Sequence, residues 1–178
     1  WTGSTFGIVL DDGFTLLDRD GSALGASTAL ATFEFHGPAP VWTGSTFGVV
    51  WTEDTGGAPG HFALLDADGS LIGSALEVGS DLSGRPGLAW TGSEFALMWS
   101  GSHSASSTGW GLVSQKVSAD GALTGPEVLC DEHGGAVGGI AWTGDTLFVI
   151  RLQDTFIDER NDVLGVIKER SPETECVM

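Results

Sequence analysis

Positive charge is scarce in this sequence. Its 178 residues carry 7 Lys+Arg against 24 Asp+Glu, a formal net charge of −17. Such a polyanion repels phosphate backbones, which argues against nucleic acid and against anionic membrane surfaces as partners. Apolar runs are also short. None approaches the roughly 18 residues of a spanning helix, so no membrane insertion is expected. No secretory leader is recognisable, and the chain begins at Trp1 rather than Met, which reads as a processed, trimmed or fragmentary chain. Tyrosine is absent and the only cysteines are Cys130 and Cys176, so at most one disulfide forms. The spacings His-x-His, His-Glu-x-x-His and Gly-x-Ser-x-Gly do not occur, which removes the common metal and serine-hydrolase motifs. No helix-length window holds a 3.6-residue apolar period.

What is abundant is glycine, 28 residues, within a chain that is 41% hydrophobic. That combination suits short strands joined by tight turns. One string recurs four times: Trp1-Thr2-Gly3-Ser4-Thr5-Phe6, Trp42-Thr43-Gly44-Ser45-Thr46-Phe47, Trp90-Thr91-Gly92-Ser93-Glu94-Phe95 and Trp142-Thr143-Gly144-Asp145-Thr146-Leu147. Each is followed by a run apolar on both alternating faces, as a strand covered on both sides requires. A second marker is the turn Asp18-Arg19-Asp20-Gly21, Asp66-Ala67-Asp68-Gly69 and Ser118-Ala119-Asp120-Gly121, with Asn161 at the glycine place of the fourth repeat. Asn tolerates positive φ best among non-glycine residues, and Asp-Gly between apolar runs signals a hairpin.

The spacing of these markers is unequal. From Gly21 to Trp42, Gly69 to Trp90 and Gly121 to Trp142 the distance is the same 21 residues, whereas the stretch from each tryptophan to its turn glycine varies. A fixed stretch threads packed structure, and a variable one contains a surface loop. The spacing predicts an all-β chain of four repeats, about 1–38, 39–86, 87–138 and 139–178, each with four antiparallel strands. Strand 1 ends at the Trp, strand 2 follows the Thr-Gly-Ser turn, a variable loop leads to strand 3, and strand 4 follows the Asp-Gly turn. Tandem units of this size and make-up are β-propeller blades, here forming one domain over 1–178. The small residues ahead of each Trp suit a narrow axis. If four blades close, the protein is a monomer. If not, the end faces, with Phe6, Ile8 and Leu10 on one and Leu147, Val149 and Ile150 on the other, need a second chain.

The Trp-Thr-Gly-x-x-Phe string with its later Asp-x-Asp-Gly hairpin resembles the tandem repeats of secreted or lipid-anchored bacterial propeller proteins. The resemblance implies a secreted or cell-surface location, periplasm and outer membrane included. It carries no catalytic residues across to this chain.

Function is read from the loops. The variable loops Thr52–Gly60 and Ser100–Gly109 are expected on one face with the blade-to-blade links. That face gathers Glu53, Asp54, His103 and Trp110 with His36, Asp81, Arg85, Asp131 and His133. The expected activity is a non-catalytic, lectin-like binding module for glycan or protein. The alternatives are a structural half-ring that assembles into a larger propeller, and a hydrolase using an acid–base pair of that face. The Asp pairs Asp18/Asp20 and Asp66/Asp68 resemble the opening of a calcium loop, though they equally cap tight turns. No cofactor is expected beyond calcium at those pairs. A disulfide between Cys130 and Cys176 is expected to tie the last blade to its neighbour.

Overall fold

The computed structural model describes residues 1–10, 13–30, 35–36, 40–53, 58–132 and 136–152. These residues form strands and turns, with no helix among them. In the first repeat β1 (Phe6–Leu10) pairs with β2 (Gly13–Leu17). Residues 23–28 then continue as the next strand position, bridging to Leu17 and Phe14. In the second, β3 (Phe35–His36) and β4 (Val41–Trp42) share β5 (Phe47–Glu53), followed by β6 (Gly60–Leu65) and β7 (Leu71–Val78). The third is a complete meander of β8 (Leu82–Trp90), β9 (Glu94–Ser102), β10 (Trp110–Ser118) and β11 (Leu123–Asp131). The fourth contributes β12 (Ala136–Trp142) and β13 (Leu147–Leu152). All pairings are antiparallel, so the expected four-stranded unit is present. The Asn161 turn lies outside the described residues.

The repeated strings fold for local reasons. In each Thr-Gly turn the threonine amide donates to the carbonyl three residues on, at 2.9 to 3.0 Å. The glycine between them has φ of 97°, 107°, 99° and 110° in the four copies, a conformation closed to most side chains. The threonine hydroxyl also accepts the amide of the residue closing the turn, for example Thr46 N–H at 3.0 Å. In the Asp-Gly turns, Gly21, Gly69 and Gly121 have φ of 81°, 86° and 86°.

Strands 2 and 3 carry the core because their alternate residues face opposite neighbours. Val50, Phe62 and Leu64 of the second repeat pack with Phe95, Leu97, Trp99, Val113 and Val117 of the third. The other face of the second repeat, with Phe47, Val49, Trp51, Ala63 and Leu65, packs on Phe14 of the first. The other face of the third, with Met98 and Leu112, meets Val137, Leu147 and Val149 of the fourth. Burying each large apolar side chain here stabilises by about 1.5–3 kcal/mol. By contrast β7 and β11 are largely exposed and form the outer edge.

The repeats interlock through one position. A Cβ on Gly7 would lie 2.7 Å from the Phe47 ring, and one on Gly48 would lie 2.3 Å from the Phe95 ring. The aromatic of each repeat therefore fills the space left by the glycine of the one before. In the third repeat that place is Ala96, and the fourth repeat offers the smaller Leu147. The turn glycines interlock as well: Gly69 approaches Phe14 and Leu16, and Gly121 approaches Leu64.

One expectation needs correcting. Leu147 and Val149 do not line the outer face of the fourth repeat but pack inward, because Leu147 takes the place of the inserted aromatic. The two-residue period then turns Phe148 and Ile150 outward, 51% and 52% exposed. Phe6 and Leu10 at the opposite end are exposed too, and the described strands form no closed sheet.

Candidate functional site

The two ends of the sheets differ in chemistry. At one end lie the Thr-Gly and Asp-Gly turns, and at the other the loops between strands 2 and 3 and the links between repeats.

At the turn end the aspartates hold backbone. Asp18 Oδ1 accepts the Asp20 and Ser22 amides at 2.9 and 2.8 Å. Asp66 Oδ1 accepts those of Asp68 and Ser70 at 3.1 and 3.0 Å, and Asp68 Oδ1 accepts the Ser70 amide at 2.9 Å. Hydrogen bonding from the Ser70 side chain, then from Asp66 and the Ser70 backbone, holds the Asp68 carboxyl below the usual carboxylate range. Asp20 is exposed at its turn. In the third repeat Ser118 takes over, its hydroxyl bonding Asp120 and its oxygen accepting the Ala122 amide at 3.0 Å. Among the described residues no three His, Cys, Asp or Glu side chains come together as a metal-holding group.

At the loop end the strands run further than the sequence suggests. Thr52 and Ser100, expected to open the loops, belong to β5 and β9 and are buried, paired with Gly60 and Leu112. Both are in register with the facing strand, so the ladder continues past the buried Trp51 and Trp99. The loop of the third repeat is therefore His103–Gly109, two successive turns closed by Ser106 N–H to His103 C=O at 3.1 Å and Gly109 N–H to Ser106 C=O at 3.1 Å. His103 Nδ1 accepts the Ala105 amide at 3.2 Å. The Ser106 and Thr108 hydroxyls both donate to the Trp110 carbonyl, at 2.6 and 3.0 Å.

Loop and link do share this end. Ser107 Oγ donates to Glu132 Oε2 at 2.5 Å, joining the strand 2–3 loop to the residue after β11. Leu82 N–H donates to Ala58 C=O at 3.1 Å, joining the second repeat's loop to its link. Gly101 is needed where it stands, because a Cβ there would lie 2.2 Å from the Asp81 carbonyl oxygen. β8 is bulged: Ser83 pairs with Ser100 and Gly87 with Met98, so Gly84, Arg85 and Pro86 arch out of the ladder. Gly84, at φ 71°, makes the bend, its carbonyl accepts the Thr52 hydroxyl at 3.4 Å, and Arg85 is exposed. Bulges of this kind re-aim a side chain.

Of the expected residues, His103, Trp110, Asp81, Arg85 and Asp131 lie at this end of the second and third repeats, spread over β8, β10, β11 and their loops. Trp110, Asp81 and Asp131 are half-buried. Glu53 and His36 end β5 and β3 at the same edge. Asp54 and His133 lie outside the described residues. Ser107 was not singled out from the sequence. Its only signal is a run of small, mostly polar residues, Ser104–Thr108, which marks a loop but no particular bond.

Cys130 is buried at the fourth-repeat face of β11, and no described cysteine is free. Cys176 lies outside the described residues. No helix among the described residues is long and apolar enough to cross a membrane. No family model matches the chain, and no curated protein or solved structure matches it either.

Proposed function

We propose that the four repeats are blades of a β-propeller, and that the loop end is a non-catalytic binding face for an extracellular glycan. The carrying observation is the braced cluster in the third repeat. The Ser107–Glu132 bond fixes the loop and Trp110 stands half-buried at its base, while the β8 bulge exposes Arg85 at the same end of the sheet on the other side of β9. A half-buried aromatic with carboxylate and hydroxyl groups on its own loop, and an exposed guanidinium further along the same end, is suited to an extended sugar, whose apolar face stacks while its hydroxyls bond at the rim. His103 spends its Nδ1 on its own loop, which favours recognition over acid–base chemistry. The net charge of −17 suits a secreted or cell-surface setting.

The test is a glycan array with the wild-type chain, Trp110→Ala and Arg85→Ala, each with and without EDTA. Signal on the wild type that falls at least tenfold in both variants supports this face. Equal signal in all three contradicts it. Loss of signal with EDTA assigns calcium a part, and a protein ligand becomes the reading if every glycan is blank.

A further inference from the structure

The two end faces of the array are the two halves of the contact that repeats inside it. Phe6 and Leu10 are equivalent to Phe47 and Trp51, and to Phe95 and Trp99, all of which are 0% or 1% exposed against the preceding repeat. In the first repeat the same positions are 42% and 51% exposed, and Trp1 is 50% exposed. Gly69 and Gly121 meet side chains of the repeat before them, while a Cβ on Gly21 would meet nothing within 4 Å. At the other end, Ile150 is equivalent to Val50 and Met98, which are 0% and 2% exposed against the following repeat, yet it is 52% exposed itself. One chain thus shows an uncovered inserting face and an uncovered receiving face together.

We propose that these faces cover each other between two copies of this chain. The fourth repeat of each copy lies on the first repeat of the other, giving a closed ring of eight units with two-fold symmetry. This rests on the propeller reading above and is independent of the glycan. The contact continues the interface that already joins the repeats within the chain, and a face-to-different-face contact of this kind yields a ring when its rotation closes. Eight units is within the range such rings adopt. The new contact differs from the inner three in one respect. Phe148 stands where Gly7, Gly48 and Ala96 leave room, so Phe6 meets an aromatic ring rather than a hole. Ring-on-ring contact of this sort is attractive but less interlocked, so the two copies should separate on dilution.

Light scattering behind size exclusion, over a dilution series of the 178-residue chain, tests this. The expected mass is twice that of the chain when concentrated and falls to one chain when dilute. Phe148→Asp and Phe6→Asp should each stay monomeric with unchanged far-ultraviolet circular dichroism. Mixed together they should regain a dimer, because one pair of wild-type faces remains. Should Phe6→Asp unfold, Leu10→Asp serves in its place. A wild type that is monomeric at every concentration overturns the proposal, as does a dimer that survives both substitutions. Glycan binding retained by monomeric variants leaves the loop-face reading intact, so the two fail separately.

Discussion

At the scale of single residues the array depends on what is absent at positions 7 and 48. Gly48→Ala would place a methyl 2.3 Å from a Phe95 ring that is 0% exposed and has nowhere to move. Overpacking of this kind costs about 1–3 kcal/mol, which urea denaturation measures. Gly139→Ala is the control, since a Cβ there meets nothing within 4 Å, and its stability should be unchanged within about 0.5 kcal/mol. Adding Phe95→Leu to Gly48→Ala copies the Ala96/Leu147 pair, and the double variant should lose less than the two single losses summed. Strict additivity would mean that the two positions do not share the space. The Asp68 carboxyl offers a second residue-scale test. Its pKa is lowered on folding, so the contribution is present above the unfolded pKa and is lost as pH falls through the lower folded value. A carboxyl-carbon NMR titration should find Asp68 titrating below the ordinary range, and Ser70→Ala should move it upward, because the Ser70 side chain is the largest cause. No movement on that substitution would refute the assignment.

At the scale of elements, the strands were legible and their ends were not. The constant 21-residue half from Gly21 to Trp42 foretold strand 4, the link and strand 1, because packed structure cannot change length. Strand 2 was legible from two-faced apolar runs such as Phe95–Trp99. The sequence puts Thr52 and Ser100 in loops, since a polar residue at a strand end looks like a loop residue until its cross-strand partner is known. The β8 bulge was hidden because Gly84-Arg85-Pro86 reads as an ordinary turn. Replacing His103–Gly109 by Asn-Gly should leave the β-type circular dichroism intact and shift Tm by only a few degrees, because the pairing of Trp110 with Ser102 survives. It should abolish glycan binding. A collapsed spectrum would show that the loop supports the fold. The expected Cys130–Cys176 bond is checked by mass spectrometry of unreduced protein. Intact bonding should add about 2–4 kcal/mol over the reduced form, and two free thiols would rule it out.

At the scale of the whole molecule, the repeat order follows from which faces are apolar. Strands 2 and 3 of the inner repeats are covered on both sides, their strand 4 is an exposed edge, and among the described residues β1 and β13 each keep a bare face. The sequence marks bare end faces only for the case in which four blades do not close, and it misassigns the outward residues of the last strand, because Leu147, Phe148, Val149 and Ile150 are all apolar and only the neighbour decides their parity. Amide hydrogen exchange tests the face-to-face stacking most directly. It should be slowest in β5, β6, β9 and β10, and faster in β7 and β11, whose side chains lie open to water. In β1 and β13 it should slow as protein concentration rises. Protection in β7 and β11 equal to that in β9 and β10, with no concentration dependence at the ends, would contradict the stacked array.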